Sequence, residues 1–496
     1  MSAALDWRSQ AKELAFRSQA FIGGKYVAAA SGETFDDISP IDGKVLARVA
    51  ACDKEDVDRA VKAARAAFNK GVWADAPPKH RKRTLQKLAD LIVKHADELA
   101  LLETLDMGKP ITFARSGDIN AVAETVRWYA ETIDKMYDEI APTPKNSLGL
   151  ITREPLGVVG AVVPWNFPLL MAAWKFGPAL ATGNSIIIKP AEQSPLSALR
   201  VAELAAEAGI PEGVFNVVPG YGETAGQALG RHMDVDAVAF TGSTEVGKYF
   251  LKYAGESNMK IVSLECGGKT PNIVFADTKD LDAAAKGAAS GIFYNSGQVC
   301  VAASRLLVEE KIHDAFVEKV KAMANVFRPG DPLDTETKMG SMVDKTQMER
   351  VLSYVDQGKK DGASLAIGGR QARTETGGYY IEPTIFDGVA NDMTIAREEI
   401  FGPVLATLTF KDVDEAVKIA NDSVYGLQAS LWTNDLSKAH KVARALRAGT
   451  VNVNNVDGGG IEMPFGGYKQ SGFGRDKSLH ALEKYTQLKS TFITFG

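Results

Sequence analysis

The sequence predicts an α/β protein of two or three domains. From Ile151 to about Glu265, short and continuously apolar strands alternate with helices, and after Pro271 the alternation starts again. Strands of this kind are buried on both faces, as in parallel sheets that are covered by helices. The length of 496 residues, of which 45% are hydrophobic, allows large cores for several such units.

The segment before this alternation combines strands and helices. A hairpin is predicted from Phe21–Gly24 and Lys25–Ala30, because two β-rich runs meet at a glycine turn. Asp53 is the predicted cap of a first helix. A second helix carries Leu85 and ends near Gly108, and a third runs from about 118 to 139. The apolar stripes of these helices predict core packing.

The first alternating region contains the elements of a parallel sheet. Its strands are expected at Gly157–Val163, Ser185–Lys189, Val214–Val218 and Val235–Thr241, with helices at Pro195–Ala208 and Gly222–Leu229. Open sheets of this kind bind ligands at the carboxyl ends of their strands.

A second α/β unit follows Pro271, and a strand-like tail ends the chain. Strands are expected at Asn272–Phe275, Ser304–Val308, Ala363–Ile367 and Val404–Phe410, and helices at Asp280–Tyr294, Ile312–Val326, Val413–Asn421 and Leu436–Ala448. The tail Tyr485–Phe495 has no partner nearby in the sequence. Because an unpaired strand edge is a liability, the tail is expected to pair across a subunit interface.

Charge and cysteine content argue against several classes of protein. A net charge of −5 disfavours nucleic acid or an anionic membrane as the main partner. No apolar run reaches the roughly 20 residues of a spanning helix, and the polar Met1–Gln19 is not expected to be a signal peptide or an anchor. Three cysteines without a CxxC pair predict neither a disulfide framework nor a metal site, so a reducing cytoplasm fits best.

Cys300 ends a small, polar, glycine-containing segment that begins at Asn295. A cysteine there is more accessible to a substrate than one in an apolar run, although free cysteines are usually buried and inert. Cys266 is predicted to be a small packing residue, with redox modulation as the alternative.

Two segments that follow predicted strands indicate a dinucleotide site. Phe240–Gly247 opens a helix, and Gly242 would let the backbone approach a phosphate, although a tight turn without a ligand explains the pattern equally well. Ser185–Glu192 ends in Lys189 and a carboxylate. That carboxylate would accept hydrogen bonds from ribose hydroxyls and repel a 2′-phosphate, which favours NAD over NADP. Alternatively, Glu192 is a favourable charge at a helix start.

Asn166 and Glu265 are polar residues in strongly apolar surroundings. The amide of Asn166 either ties down the turn Pro164–Pro168 or stabilises a developing oxyanion. Glu265 either forms a salt bridge with a nearby lysine or acts as a general base whose pKa is raised by burial.

Seven motifs together resemble the aldehyde dehydrogenase superfamily, in the same order over nearly the whole chain. They are PWNFP (164–168), GNSIIIKPAE (183–192), FTGSTEVG (240–247), LECGGK (264–269), GQVC (297–300), EEIFGPV (398–404) and PFGGYKQSG (464–472). Within the superfamily, 99–110 and 474–489 are similar to the γ-glutamyl-γ-aminobutyraldehyde and ω-aminoaldehyde dehydrogenases of bacterial polyamine breakdown.

The resemblance implies roles for individual residues. Cys300 would be the nucleophile, Glu265 the general base, and Asn166 the oxyanion ligand together with the backbone N–H of Cys300. The adenosine and pyrophosphate end of NAD would be bound by Trp165, Lys189, Glu192, Gly222, Gly226, Phe240, Gly242, Ser243 and Val246, and the nicotinamide riboside by Glu399 and Phe401. A substrate tunnel would be lined by Phe167, Leu170, Met171, Trp174, Val299, Val301 and Phe465, with Asp457 near its mouth.

The resemblance also implies the domain arrangement. A Rossmann-like coenzyme domain is expected at 1–138 and 158–265, a catalytic domain at 266–482, and a small β bridging domain at 139–157 and 483–496. The bridging domain would build dimers and a homotetramer.

The implied reaction is oxidation of an aldehyde to a carboxylic acid through a thiohemiacetal and a thioester on Cys300. Glu265 favours hydrolysis over transfer to coenzyme A. Asp457 and Glu462 favour an amine-bearing substrate, whereas the apolar tunnel favours arylacetaldehydes or hydrophobic aldehydes, and the small residues of 456–460 leave the mouth wide. Alternatives of other classes are a non-catalytic protein of the same fold and a cysteine hydrolase without a cofactor.

Overall fold

The structure is a computed structural model that describes residues 6–495. Its helices are α1 (Trp7–Glu13), α2 (Lys54–Asn69), α3 (Pro78–Lys94), α4 (Ala96–Met107), α5 (Ile111–Phe113), α6 (Ile119–Thr132), α7 (Pro168–Ala181), α8 (Leu196–Ala208), α9 (Gln227–Arg231), α10 (Thr244–Gly255), α11 (Leu281–Phe293), α12 (His313–Ala324), α13 (Lys345–Lys360), α14 (Thr394–Arg397), α15 (Val413–Asn421) and α16 (Leu436–Ala445).

The strands form two large sheets and three small ones. They are β1 (Ala20–Ile22), β2 (Lys25–Val27), β3 (Thr34–Ile38), β4 (Val45–Ala50), β5 (Glu139–Ala141), β6 (Ser147–Pro155), β7 (Val158–Val162), β8 (Ser185–Lys189), β9 (Phe215–Val217), β10 (Ala237–Thr241), β11 (Ile261–Glu265), β12 (Pro271–Val274), β13 (Arg305–Glu309), β14 (Ser364–Ile367), β15 (Gln371–Ala372), β16 (Tyr380–Ile381), β17 (Thr384–Asp387), β18 (Val404–Phe410), β19 (Gln428–Trp432), β20 (Thr450–Val453), β21 (Gly472–Phe473) and β22 (Thr486–Thr494).

The first large sheet has the strand order β2-β1-β9-β8-β7-β10-β11-β21. Its five central strands, from β9 to β11, are parallel. From β7 the chain proceeds to β8 and β9 on one side, whereas β10 and β11 lie on the other side. The gap between the carboxyl ends of β7 and β10 is therefore the point where ligands bind in doubly wound sheets.

Side chains of successive residues in these strands point to opposite faces of the sheet. Ile186 and Ile188 of β8 pack into one apolar core with helices α3, α4, α6, α7 and α8. Ile187, between them, packs into a second core with α2 and with Phe250 of α10. Both faces of the sheet are covered, which explains why its strands are continuously apolar.

The second large sheet has the order β14-β17-β18-β13-β12-β19-β20. All its strands are parallel except β14. Ile273 and Val274 of β12 again belong to separate cores on the two faces. The α/β class with two parallel sheets is thus as predicted, while the boundaries of the three expected domains stay a prediction. Strand β21, from the expected catalytic range, pairs with β11 of the first sheet.

The third sheet, β22-β6-β5, contains the C-terminal tail, whose expected pairing across a subunit interface stays a prediction. Strand β22 pairs antiparallel with β6 of the same chain along its whole length, from Thr486 opposite Pro155 to Thr494 opposite Ser147. The tail therefore has a partner within its own chain, far away in the sequence. The other edge of β22 has no neighbouring strand in the described chain and forms the outer edge of this sheet.

The predicted helices of the N-terminal segment differ from the structure in two places. The second helix is two helices, because His95 takes the non-helical angles φ −102° and ψ 20° between α3 and α4. The third ends at Thr132 instead of near residue 139, where β5 already begins. The first helix is confirmed: the Asp53 side chain accepts a hydrogen bond from Glu55 N–H, and Asp56 completes a capping box.

Helix α13 and strand β19 were not predicted. In β19, Gln428 and Ser430 interrupt the apolar pattern even though the whole strand is buried. Within residues 6–495, no helix is both long and apolar enough to cross a bilayer.

Candidate active site

The candidate site lies where the chain crosses from the first large sheet to the second. Strand β11 ends at Glu265 and β12 begins at Pro271. Cys300 precedes β13, the neighbour of β12, and lies against this crossing. A Cβ atom added to Gly268 would lie only 2.6 Å from the carbonyl oxygen of Cys300. The carboxyl end of one sheet therefore faces the amino end of the other at this point.

The turn before Cys300 is held in a strained conformation. Asn295 and Ser296 have φ angles of 49° and 56°, and Gly297 follows with 71°. Left-handed residues other than glycine each cost about 1–3 kcal/mol and persist only where the surroundings fix them. Here Ser296 Oγ donates to Gly340 O at 3.1 Å, and Gln298 Oε1 accepts from Val343 N–H at 2.9 Å. The backbone before the cysteine is therefore fixed in advance.

Asn166 is bound directly to this turn. It lies in the loop between β7 and α7, and its buried Nδ2 donates to Gln298 O at 2.9 Å. Asn295 Nδ2 donates in return to Asn166 O at 3.1 Å. A side-chain amide has two N–H donors, so one remains for a ligand beside Cys300. The amide thus ties the β7–α7 loop to the turn before Cys300 and not its own turn Pro164–Pro168 alone, and this tie is compatible with the predicted oxyanion role.

The thiol of Cys300 is partly exposed. Burial, followed by the nearby carboxyl groups of Glu399 and Glu265, raises its pKa to about 12. The thiol is therefore protonated at neutral pH in the ligand-free protein. Because the thiolate is the nucleophile, catalysis requires this proton to leave.

Glu265 is a buried carboxyl group at the end of β11. Neither of its oxygens has a hydrogen-bond partner among residues 6–495, and the same is true of the Lys269 ammonium. The alternative of a salt bridge to a nearby lysine is therefore not observed. Burial, followed by repulsion from Asp476, raises the pKa of Glu265 well above its usual range. A carboxyl group with this environment is suited to general-base chemistry near neutral pH.

A buried group of three charges lies beside Glu265. Asp476 forms ion pairs with Lys175 from α7 and with Lys484. Burial alone would raise the pKa of Asp476, but the two lysines lower it below its usual range. Both lysines also attract the Glu265 carboxylate and partly offset its burial. No pattern in the sequence indicated this group.

Glu399 and Phe401 lie on the other side of the cysteine. Glu399 Oε1 accepts from Gly268 N–H at 2.9 Å, and burial raises the pKa of this carboxyl group to about 7. Phe401 has a φ of 57°, and Gln347 Nε2 donates to its carbonyl oxygen at 2.9 Å. The Phe401 ring packs edge-on against Trp165, with the ring centroids 5.2 Å apart. The loop that carries both residues is thereby tied to the β7–α7 loop.

The predicted dinucleotide residues follow the carboxyl ends of the first sheet. Lys189 ends β8, and its Nζ lies 3.0 Å from Oε2 of the partly exposed Glu192. Ser243 caps α10 by accepting from Val246 N–H at 3.2 Å, and both residues are exposed. The free N–H groups of the first turn, the Lys189 ammonium and the Glu192 carboxylate are suited to phosphate and ribose. These residues fit a dinucleotide at the β7–β10 gap.

The glycines of this region differ in their surroundings. A Cβ atom at Gly242 would lie 2.5 Å from Cζ of Phe240, so the turn cannot accept a side chain without moving. The Phe240 ring is buried against Phe250 and can act on a ligand only by supporting Gly242. Added Cβ atoms at Gly222 and Gly226 would meet no atom of the described chain within 4 Å, so the space beside this backbone is open.

A cavity of about 430 Å³ opens beside Cys300. Its lining includes Cys300 and all eight predicted tunnel residues, namely Phe167, Leu170, Met171, Trp174, Val299, Val301, Asp457 and Phe465. The cavity has the size of a small-molecule site, with mostly apolar walls and a few polar groups. Glu462 is not among the lining residues, and its carboxylate accepts from Gly460 N–H at 3.0 Å.

Several lining residues were not found from the sequence. They include Asp118, Ser290, Tyr294, Gln428, Thr450, Met463 and Lys477. These residues come from segments far apart in the chain, and their positions depend on the packing of both sheets. Tyr294 could have been identified from the sequence as a residue near the site, since it opens the turn that ends at Cys300.

Cys266 is buried in the core between α10 and the first sheet. A Cβ atom on Gly247 would lie 2.9 Å from its sulfur, which is consistent with the predicted packing role. In the described part of the chain, no three His, Cys, Asp or Glu side chains are arranged to hold a metal ion.

The chain is similar to known proteins in both sequence and structure. The profile described as "Aldehyde dehydrogenase family" matches residues 26–491. The chain is 54% identical over 488 residues to the Escherichia coli NADP/NAD-dependent aldehyde dehydrogenase PuuC, a match that covers 98% of each protein.

Two solved structures are similar over nearly the whole chain. The Burkholderia cenocepacia γ-glutamyl-γ-aminobutyraldehyde dehydrogenase has a TM-score of 0.97 at 58% identity, with 99% of each chain covered. A mutant of the P. syringae indole-3-acetaldehyde dehydrogenase AldA, in complex with NAD+ and IAA, has a TM-score of 0.98 at 60% identity, with the same coverage.

Proposed function

The chain belongs to the aldehyde dehydrogenase family, and we propose that it oxidises ω-aminoaldehydes, free or γ-glutamylated, to carboxylic acids with NAD. The observation that carries this proposal is the cavity of about 430 Å³, which has Cys300 in its wall. Asn166 and Glu265, the two residues that the chemistry needs beside the thiol, lie at the same crossing between the sheets.

The first step is attack of the Cys300 sulfur on the aldehyde carbon after the thiol has given its proton to solvent water, and the C–S bond forms as the carbonyl π bond breaks. The carbonyl oxygen then becomes an oxyanion, which the remaining N–H of Asn166 and the backbone N–H of Cys300 stabilise. The fixed turn at Asn295–Gly297 orders the sulfur before the substrate arrives. Preorganised donors of this kind lower the barrier because little reorganisation is needed during the reaction.

NAD supplies the hydride acceptor when it is bound. Lys189, Glu192 and the N-terminus of α10 would hold its adenosine and pyrophosphate part, and Glu399 and Phe401 its nicotinamide riboside. Glu192 favours NAD, because a 2′-phosphate would meet its carboxylate. The ammonium of Lys189 lies 3.0 Å from that carboxylate and offsets part of the repulsion, so the preference over NADP is expected to be incomplete.

Glu265 completes the reaction by activating water. The thioester on Cys300 is released as a carboxylic acid when this carboxylate removes a proton from water. The high pKa of Glu265 makes it a strong base once it has lost its own proton. Hydrolysis is therefore expected instead of transfer to coenzyme A.

The substrate class is supported by the cavity walls and by the relatives. PuuC and the Burkholderia cenocepacia enzyme share over half of their sequence with this chain. Asp457, an exposed lining residue, supplies the negative charge that an amine-bearing aldehyde would meet. A second candidate is an arylacetaldehyde, favoured by the rings of Phe167, Trp174 and Phe465 in the lining and by the likeness to AldA.

We also infer a cytoplasmic homotetramer. Cys52, Cys266 and Cys300 are free thiols, which suits a reducing compartment. The third sheet, β22-β6-β5, exposes Leu488 and Phe492 and has the unpaired outer edge of β22. Exposed apolar side chains beside an open strand edge are typical of a subunit interface.

The test of the nucleophile is Cys300→Ala. We expect NADH formation to fall by about 10³-fold or more, because the covalent intermediate cannot form, while NAD binding is retained. Cys52→Ala, at a buried cysteine in the core beside α2, serves as the matched control and should keep its activity. Turnover of the Cys300 variant near the wild-type rate would contradict the assignment.

The test of the substrate class is kcat/KM over a panel of aldehydes. We expect kcat/KM to be higher for free and γ-glutamylated ω-aminoaldehydes than for phenylacetaldehyde and hexanal, because Asp457 attracts the ammonium. The reverse order would favour the arylacetaldehyde candidate.

A further inference from the structure

The cavity carries two opposite charges that the proposed chemistry does not use. Asp457 and Lys477 both contribute to its lining. Among the described residues, neither takes part in an ion pair within 4.0 Å. The ammonium of Lys477 has a long contact of 3.4 Å to Gly459 O and lies 5.7 Å from the centroid of the Trp174 ring. Asp118, the third charged lining residue, is already paired with Lys109. Asp457 and Lys477 are thus the charged groups of the lining with bonding capacity left for a ligand.

Lys477 is held in place by its backbone. Lys477 and Ser478 have φ angles of 60° and 50°, a conformation that L-residues rarely adopt. The segment is pinned on both sides: Asp476 and Phe465 exchange backbone hydrogen bonds of 2.7 and 2.8 Å, and Ser478 N–H donates to Ile461 O at 2.6 Å. Strained backbone of this kind is found where a side chain must be placed for function.

We propose that Asp457 and Lys477 together bind an α-amino-acid head group at the far end of the aldehyde substrate. The carboxylate of Asp457 would bind the ammonium of this head group, and the ammonium of Lys477 its carboxylate. This inference rests on the proposed function, because it names which aminoaldehydes the same cavity prefers. Asp457 is exposed and Lys477 is partly exposed, so this part of the cavity lining reaches solvent.

The charges distinguish a zwitterionic substrate from a simple amine. An aldehyde with only an ammonium would pair with Asp457 but leave Lys477 without a partner in a half-buried position. An uncharged aldehyde would pair with neither group and would remove water from the half-buried Lys477 ammonium, which is unfavourable for a polar group left without a partner. A γ-glutamylated aminoaldehyde carries both charges on one carbon atom and can pair with both residues. The structure thus favours the γ-glutamylated form over the free aminoaldehyde.

The test uses four aldehydes of equal length, two variants that each remove one charge, and two control variants. The aldehydes are γ-glutamyl-γ-aminobutyraldehyde, its analogue without the α-amino group, its analogue without the α-carboxylate, and an uncharged analogue without both. In the wild type, kcat/KM of the first should exceed that of each singly charged analogue by about tenfold, the size of a charge-assisted contact near solvent.

Each charge-removing variant should abolish the preference for one of the two charged groups of the substrate. In Lys477→Asn, kcat/KM for γ-glutamyl-γ-aminobutyraldehyde should equal that for the analogue without the α-carboxylate, while the preference for the amino group remains. In Asp457→Asn, kcat/KM for γ-glutamyl-γ-aminobutyraldehyde should equal that for the analogue without the α-amino group, while the preference for the carboxylate remains. Asparagine is chosen because it tolerates the left-handed conformation of position 477. Lys477→Arg keeps the charge and should keep the preference, and Lys411→Asn, at an exposed lysine outside the cavity, is the control.

Two negative outcomes are distinguishable. Unchanged ratios in both variants, with aminoaldehydes still oxidised, would overturn the charge pair and leave the proposed function intact. A wild-type enzyme that oxidises the uncharged analogue but none of the amine-bearing aldehydes would overturn both. If Lys477→Asn does not fold, Asp457→Asn, which lies in an exposed loop, still tests the proposal, because an unchanged preference for the amino group in this variant would overturn it.

Discussion

Cys300 and Glu265 share one physical problem. Each must become negatively charged during the reaction, and each lies where burial disfavours a negative charge. Burial raises the pKa of the thiol to about 12 and that of the carboxyl group well above its usual range. Each group therefore holds its proton to a higher pH than it would in water. Retention of these protons reduces the repulsion between the two groups before the substrate binds.

The base assignment predicts a stalled acyl-enzyme in Glu265→Gln. Glutamine cannot accept the proton of water, so we expect one equivalent of NADH per subunit and then a steady-state rate about 10²-fold or more below the wild type. Stopped-flow fluorescence of NADH measures both phases. Glu336→Gln, at an exposed glutamate away from the site, is the control. A steady-state rate equal to that of the wild type would refute the role of Glu265.

The direction of the pKa shift fixes the pH dependence of the same step. A raised pKa means that the proton is held to higher pH, so the basic form increases as the pH rises through the shifted value. Deacylation in the wild type should therefore accelerate as the pH rises through this shifted value. Glu265→Gln should lose this acceleration.

At the scale of single residues, sequence and structure agree where the chemistry is local. Asn166 and Cys300 stand out by their polarity in a particular segment, and the structure brings them together through Gln298. Lys477 does not stand out, because nothing in its own segment shows that it faces a cavity. Its place depends on hydrogen bonds to Phe465 and Ile461, which only the folded chain provides.

The elements of both large sheets follow from local patterns. Strand β8 was predicted with its observed bounds, Ser185–Lys189, because three isoleucines leave no exposed face. Strand β19 was not predicted, since its buried Gln428 and Ser430 contradict the apolar pattern. Helices α3 and α4 read as one periodic stripe, and the break at His95 has no glycine or proline to mark it. A local sequence pattern thus predicts that an element exists more reliably than it predicts where the element is interrupted.

The turn from β10 to α10 carries a prediction at this scale. Gly242→Ala would place a Cβ atom 2.5 Å from Cζ of Phe240, so the turn must move. We expect the Kd for NAD to rise about tenfold, because the helix N-terminus would no longer lie where the phosphates bind, and the melting temperature to fall, since overpacking costs about 1–3 kcal/mol. Calorimetric titration with NAD and thermal unfolding measure the two effects.

Gly255→Ala provides the matched control at the other end of the same helix. A Cβ atom there would meet nothing within 4 Å of the described chain, so NAD binding should not change. Replacing a helical glycine by alanine should add about 0.5–1 kcal/mol to the free energy of unfolding. Equal Kd values for NAD in the two variants would exclude the turn from the cofactor site.

For the whole molecule, the pairing of β22 with β6 follows from no local pattern, although the family resemblance placed both segments in one bridging domain. The two strands come from distant parts of the chain, and no local signal joins them. The resulting sheet of three strands has little core of its own: all of β22 except Thr486 is exposed. An isolated sheet of this size is stable only with a hydrophobic face that is packed against something. The monomer alone does not provide such packing along β22.

The assembly prediction follows from this surface. Leu488 and Phe492, four residues apart and on the same face of β22, are 63% and 65% exposed. We expect the wild type to sediment as an oligomer and Phe492→Glu to shift it to smaller species, because a buried unpaired carboxylate would oppose association. Analytical ultracentrifugation over a range of concentrations measures the shift.

Leu436→Glu is the control for a new charge at an exposed apolar residue. Leu436 is 74% exposed at the start of α16, away from the third sheet, and its substitution should leave the assembly unchanged. A monomeric wild type, or equal sedimentation of both variants, would show that β22 is not in the interface. If Phe492→Glu dissociates the oligomer and also lowers its melting temperature, the third sheet depends on the neighbouring subunit for its stability, as its missing core implies.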